Sequence, residues 1–326
     1  MKTASLLRAA FAWAALLAAA NPANAQVDYP HRAITLVVPS APSTGFDILA
    51  RRLGQRLGEN WKIPVVVDNR PGASGNIGFN VAAKSPPDGY TLLVTGDIII
   101  RNRSLYKNLP FDPIRDFAPI APLAAGVMAL VTHPSINATS VKALIALLKE
   151  SPGKYNYASP GNGTPHHMAM ELFKMSTGVQ VTHIPYKTTG AILPDLISGQ
   201  IAVMFLPLQV ALPLAAGNKI RILCAGGNRR ASATPNLPSL AEAAGIQSID
   251  VDTWYAIYAP AGTPQPILAK LNTELNAILK EQDVKDSLAH SGLGATGGTQ
   301  QDLAQMTKSD LERWSRVVRE AGITAD

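Results

Sequence analysis

Ile34-Thr35-Leu36-Val37-Val38-Pro39-Ser40-Ala41-Pro42-Ser43-Thr44-Gly45-Phe46-Asp47-Ile48-Leu49 is the stretch from which the fold can be read. Its first five residues are a short, apolar, β-rich run. Pro39 to Gly45 then breaks the pattern with turn-forming residues. From Ile48 the period changes: Ile48, Leu49, Leu53 and Leu57 share one helical face, with Arg51, Arg52 and Arg56 off it. The same order recurs twice. Val65-Val66-Val67 leads through the loop Asn69–Asn76 into a short helix ending at Lys84, and Tyr90 to Val94 is a third strand. Strands bounded by turn residues and followed by helices describe βαβ units, hence an α/β fold on a mostly parallel sheet. Asp97 to Arg103 reads as the loop after the third strand.

The pattern restarts at Met128–Thr132. Ser140 caps a helix carrying Val141, Leu144, Leu147 and Leu148. Tyr155–Ala158 is a strand that ends in the loop Ser159–Pro165, and Met168, Leu172 and Phe173 mark the next helix. Strands at Val179–Ile184, Ile201–Phe205 and Ile220–Ala225 follow, with Thr188-Thr189-Gly190 opening a helix to Ser198 and Pro207–Ala216 between the last two strands. The C-terminal part is helical. Thr263-Pro264 is read as a cap with Pro in the first turn, Asp283 as the cap of a short segment to His290, and Thr299 as the cap of a last helix stopped by Gly322. The chain after residue 25 is long enough for two cores, and no low-complexity linker separates them.

Residues 1–25 carry a positive start (Lys2, Arg8), an apolar run from Ala9 to Ala20 and an Ala23-Asn24-Ala25 site before Gln26, the pattern of a cleavable secretory signal. The run is shorter than the ~20 residues that span a bilayer. The net charge of +6 is mild and scattered, with no basic stripe for nucleic acid. The single cysteine, Cys224, lies in an apolar run and is read as buried and structural. The six histidines (His31, His133, His166, His167, His183, His290) show no metal-ligand spacing with Cys or carboxylates. There is no G-x-S-x-G elbow and no Walker A loop, and Gly72–Gly78 lacks dinucleotide-loop spacing. The sequence therefore calls for no cofactor, no metal and no enzyme active site. It offers loops suited to an anion.

Those loops carry a family resemblance. Tyr29-Pro30-His31-Arg32-Ala33-Ile34, Val67-Asp68-Asn69-Arg70-Pro71-Gly72-Ala73-Ser74-Gly75-Asn76-Ile77-Gly78 and Pro87-Asp88-Gly89-Tyr90-Thr91-Leu92 are followed in order by Ser104-Leu105-Tyr106 and Gly161-Asn162-Gly163-Thr164-Pro165-His166. His183-Ile184-Pro185-Tyr186-Lys187 and Tyr258-Ala259-Pro260-Ala261-Gly262-Thr263-Pro264 complete the series. This set resembles the receptors of tripartite tricarboxylate transporters, also called Bordetella uptake gene (Bug) proteins. The resemblance implies a periplasmic type II binding-protein fold: two α/β domains joined by two crossing strands, with the ligand between them. On that scheme residues 26–126 and 253–326 form the first domain and 127–252 the second. It implies a monomer that delivers a carboxylate to integral membrane transporter subunits, or one that serves as a sensor. It also carries the ligand carboxylate to Ser43, Thr44 and Gly45 and to Ser159, Gly161, Asn162, Gly163 and Thr164, loops at the carboxyl ends of strands where helix N-termini point outward. Gly72, Gly75 and Gly78 are assigned to turn and packing needs, and His166 to helix packing or solvent.

Three places depart from the family pattern. The first loop reads Ser43-Thr44-Gly45-Phe46-Asp47, the third Asp97-Ile98-Ile99-Ile100-Arg101-Asn102-Arg103, and Leu206-Pro207-Leu208 follows Phe205. Phe46, Ile98–Ile100 and Leu206 are expected to present an apolar wall to the ligand body. Arg101 or Arg103 is expected to clamp a second carboxylate, against a reading of both as solvated loop charges. Asp97 and Thr188 complete the candidate set. Together these favour an aromatic mono- or dicarboxylate, with terephthalate or phthalate as the sharpest expectation. An aliphatic di- or tricarboxylate is the alternative, and a periplasmic hydrolase is the rival from another class.

Overall fold

The computed structural model describes residues 29–324, except 43, 107, 187, 232–233, 247–248 and the side chain of Thr189. The leader and Ser43 lie outside the described residues. In chain order the first half runs β1 (Ile34–Val38), α1 (Gly45–Trp61), β2 (Val65–Asn69), α2 (Asn76–Ala83), β3 (Thr91–Gly96), α3 (Ile98–Leu105) and β4 (Phe117–Gly126). The second half follows with β5 (Met128–Thr132), α4 (Val141–Glu150), β6 (Asn156–Ser159), α5 (Pro165–Thr177), β7 (Thr182–Pro185), α6 (Thr189–Ser198), β8 (Val203–Pro207), α7 (Leu208–Ala216), β9 (Arg221–Ala225) and α8 (Leu240–Ala244). The chain then returns with β10 (Thr253–Pro260), α9 (Gln265–Ile278), α10 (Gln282–His290), β11 (Leu293–Ala295) and α11 (Gln300–Glu320).

Two sheets result, and each anchors an α/β lobe. One has the order β11-β4-β10-β3-β1-β2, the other β7-β6-β8-β5-β9. In the first, β1 lies parallel between β2 and β3 and four of its five residues are buried, as its apolar composition requires. The sheets are mixed rather than mostly parallel. β10 runs antiparallel to both β3 and β4, and β5 antiparallel to both β8 and β9. These reversals come where the chain passes between lobes, at Gly126-Val127-Met128 and again before Thr253. β4 and β10 escaped the periodicity reading for a physical reason. β4 contains Pro119 and Pro122, which cannot donate to a ladder, and its pairing with β10 shifts register twice to accommodate them.

Asp97–Arg103 is not a loop. From Ile98 it is the helix α3, with Ile99 and Ile100 buried in the first lobe and an Asp97–Arg101 ion pair across one turn. α9 starts one residue later than expected, with Pro264 at the cap, and Glu281 rather than Asp283 caps α10. Ser140 and Thr299 do cap α4 and α11. α11 lies across both lobes: Leu303 packs with Ile99, Trp254 and Tyr258 of the first, while Trp314, Val317 and Val318 enter the core around Phe173 of the second. Cys224 is buried and unpaired on β9, and burial pushes its thiol up to about 12.

Candidate ligand cleft

The loop between β1 and α1 is held from behind. Ser40 Oγ lies 2.6 Å from Thr44 Oγ1, which donates to the Ala41 carbonyl at 3.0 Å. Asn69, at the end of β2, donates to the Ser40 carbonyl (3.1 Å) and to Asp47 Oδ1 (3.0 Å), and Arg51 closes the set by pairing with Asp47. The glycine-rich segment after Asn69 serves the same contact. A Cβ on Gly78 would stand 2.9 Å from Pro39 Cα, and one on Gly75 3.1 Å from Pro39 Cβ. Packing thus accounts for those two glycines. Thr44 is the residue before α1, so the first N–H groups of the helix open at Gly45 and Phe46, where no intrahelical carbonyl precedes them.

Beneath this loop lies a residue that sequence reasoning missed. The Tyr255 hydroxyl would be 2.9 Å from a Cβ on Gly45, and its ring is 5.0 Å from that of Phe46 at 55°. Gly96 and Gly126 border the same ring pair: a Cβ on Gly96 would strike the Trp254 carbonyl at 2.2 Å and Phe46 Cε1 at 3.1 Å, and one on Gly126 would reach Tyr255 Cε2 at 3.3 Å. Burial pushes the Tyr255 hydroxyl up to about 12, with Asp97 acting in the same direction. Period-2 alternation through Tyr255, Ile257 and Ala259, had β10 been recognised, would have placed Tyr255 on the side of α1.

The second candidate loop follows β6. The Ser159 hydroxyl donates to the Gly161 carbonyl (2.9 Å) and lies 2.7 Å from His183 Nε2. Thr164 Oγ1 donates to the same carbonyl at 2.7 Å, and the Gly163 amide donates to His167 Nδ1 at 3.0 Å. Gly161 and Gly163 have φ of 120° and 72°, which glycine alone adopts without strain. Gly163 also abuts the first lobe: a Cβ there would be 2.4 Å from Leu105 Cδ1. Between the lobes a cavity of about 60 Å³ is lined by Ser74, Ile98, Asn102, Leu105 and Tyr106 on one side and Asn162–Pro165 on the other.

Several expected site residues stand elsewhere. Arg101 is neither a solvated charge nor an open clamp. It is 1 % exposed, bonded to Asp97 at 2.5 Å and 5.8 Å above the Trp314 ring. Burial outweighs the Arg101 charge and raises the Asp97 carboxyl to about 6. Arg103 is exposed and borders a separate groove of about 610 Å³ with Ser315 and Arg319 of α11. Leu206 is 0 % exposed in the second-lobe core with Ala129, Val131 and Ile192, so it forms no cleft wall. Of the three isoleucines only Ile98 reaches the cavity. Thr188 is exposed and caps α6, accepting from the Ala191 amide at 3.3 Å. His166 is buried, and burial followed by the Arg101 charge lowers it to about 4, which agrees with a packing role.

The connections between lobes are fastened by a carboxylate. Asp252 accepts from the Met128 amide (2.9 Å) on the outgoing strand and from the Gly227 amide (3.0 Å) in the second lobe. Burial raises it to about 6 despite those two bonds. Among the described residues no three His, Cys, Asp or Glu are placed to hold a metal ion, and no helix is long and apolar enough to cross a membrane.

Comparison with known proteins bears on this geometry. The model of the tripartite tricarboxylate transporter family receptor matches residues 49–323. A UPF0065 protein from a tcbD-tcbE intergenic region of a Pseudomonas sp. is 33% identical over 298 residues, 91% of this chain and 89% of its own. BugT of Bordetella pertussis is 33% identical over 296 residues, 90% of each chain. Among solved structures, R. palustris Rpa4515 with adipate is 34% identical with a TM-score of 0.78, covering 91% of this chain and 99% of its own.

Proposed function

The chain belongs to the tripartite tricarboxylate transporter receptor family, and from that premise we propose that it captures a small aromatic carboxylate, terephthalate- or phthalate-like, for delivery to membrane transporter subunits. It is a solute-binding receptor, not an enzyme. The finer reading places it in the periplasm as a monomer, after loss of the leader at residue 25.

One observation carries the ligand class. The Thr44–Phe46 loop presents a helix N-terminus and, directly beside it, the Phe46–Tyr255 ring pair. First-turn N–H groups favour a carboxylate, and rings favour a planar apolar body. Ser159 to Thr164 supply the opposite wall ahead of α5. With Leu206 in the core, the apolar contact falls to Phe46, Tyr255, Ile98 and Leu105. Burying a ring face of ~100 Å² contributes roughly 2.5 kcal/mol, about a sixty-fold preference over a polar chain of similar length. Arg101 is committed to Asp97, so it is not open to a second carboxylate. An aliphatic dicarboxylate is the second reading, favoured by the adipate in the 34% identical relative.

The test is a thermal-shift screen with benzoate, phthalate, terephthalate, adipate, succinate, citrate and glutamate, followed by calorimetry on the hits. Aromatic acids are expected to stabilise most. Stabilisation by citrate or glutamate and by no aromatic acid refutes the assignment. Uptake unchanged on deletion of the protein refutes the delivery role.

A further inference from the structure

Behind the Ser159–Thr164 loop three rings are layered: Tyr157 of β6, His183 of β7 and His167 of α5. The two imidazoles are 4.2 Å apart and 6° from parallel, and Tyr157 lies 4.7 Å from His183 at 18°. Each imidazole also holds the loop, His167 through the Gly163 amide at 3.0 Å and His183 through the Ser159 hydroxyl at 2.7 Å. An amide only donates, so His167 Nδ1 must be bare for that bond to exist. Protonating it sets two donors face to face. A proton on each ring would put two positive charges about one ring spacing apart.

The charged and titratable surroundings are few. Glu171 and Lys174 come from α5 itself, Tyr157 from β6 and His183 from β7. Glu171 Oε1 is 4.0 Å from His167 Nε2, yet it already accepts from the Tyr157 hydroxyl at 2.5 Å and pairs with Lys174 at 2.7 Å. Its charge is therefore largely answered. Burial, with His183 beside it, lowers His167 to about 4, and burial lowers His183 as well. Both rings are neutral at neutral pH, as the stack requires.

We propose that the stacked pair His167 and His183 positions the Ser159–Thr164 loop for ligand, and that charging His167, which removes the acceptor of the Gly163 amide, releases the loop, so that carboxylate affinity falls on acidification. This rests on the reading of that loop as a ligand contact. A ring that must be neutral in the liganded state lowers affinity by up to roughly tenfold for each pH unit below its titration.

The experiment uses the mature chain, terephthalate and adipate as probes, and the variant His167→Asn. Asn retains an acceptor where Nδ1 stood and cannot titrate. Affinity is measured from pH 7.5 to pH 4, each protein against its own value at pH 7.5, with circular dichroism to confirm the fold. Through this ring wild-type affinity is expected to fall about twofold by pH 4, beyond any fall shared with His167→Asn, whose profile is flatter. A ligand-free readout separates this inference from the ligand assignment: the hydrogen-exchange protection factor of the Gly163 amide. It should collapse on acidification in the wild type and persist in His167→Asn. If neither probe binds but the protection behaves so, the ligand reading fails and the positioning role stands. Identical pH profiles, or unchanged Gly163 protection, overturn the proposal.

Discussion

Replacing Gly163 with Ala separates two costs that the structure locates in different places. Gly163 has φ of 72°, where an L-residue loses about 1–2 kcal/mol whatever its surroundings. That strain belongs to the second lobe alone. The added Cβ would also stand 2.4 Å from Cδ1 of Leu105, on a helix of the first lobe. This clash exists only while the lobes are together. Leu105 is half-buried and the clashing atom is the end of its side chain, so it can leave its rotamer for about 1 kcal/mol, near the low end of overpacking costs. If ligand bridges the lobes and favours closure, the second cost appears in affinity, as a loss of about fivefold. The first appears in stability, as a fall in Tm of roughly 2–8 °C. In the Leu105→Ala background Gly163→Ala should therefore cost no further affinity, the double variant binding as Leu105→Ala does, while Tm stays low. The assay is a double-mutant cycle by calorimetry and thermal melts, using whichever acid gives the largest thermal shift. An affinity loss that persists undiminished with Leu105→Ala, or no loss in Gly163→Ala, refutes the placement of this loop at the closing interface.

Three further outcomes are expected. Arg101→Ala should destabilise the protein by about 3–5 kcal/mol, because it leaves the buried Asp97 carboxyl without its partner, whereas Arg103→Ala should leave stability and affinity unchanged; urea titration and calorimetry decide, and the reverse pattern would restore Arg103 as the clamp. Asp252→Asn should cost about 1–3 kcal/mol, since its amide turns a donor toward the Met128 or Gly227 amide; an unshifted urea midpoint counts against the carboxylate as the fastening of the two connections. The pH response has a definite sign: His167, lowered to about 4, stays neutral in the fold while the unfolded ring takes a proton below about 6.5, so this residue's contribution is lost as pH falls from about 6.5 to 4. Asp97 and Asp252, raised to about 6, oppose it between about 6 and 4, because there the folded state holds the extra protons. His167→Asn should therefore gain stability on the wild type by about 1.4 kcal/mol per pH unit on acidification through that window, read from urea midpoints; a constant difference refutes a neutral buried ring.

The sequence by itself determined what is local. The apolar run at Ile34–Val38, the helical stripe from Ile48 to Leu57 and the capping residues Ser140 and Thr299 act within a few residues of themselves, and each stands in the structure where its pattern puts it. The ordered loop motifs likewise announced the family, because turn chemistry at strand ends is written in consecutive residues. Only the tertiary structure decided which side chains face the cleft. Ile98, Ile100 and Arg101 are neighbours on one helix, yet one lines the cavity, one fills a core and one is sealed against Asp97 beneath Trp314, more than 200 residues away in the chain. Leu206 went to a core because β8 lies inside the second sheet, between β6 and β5, and Tyr255 lies against Gly45 and Phe46 of α1 because β10 is inserted between β4 and β3 in the first sheet. Periodicity reports how a segment repeats along its own axis. The direction of one side chain at a lobe boundary is set by segments remote in sequence, and no local pattern encodes it.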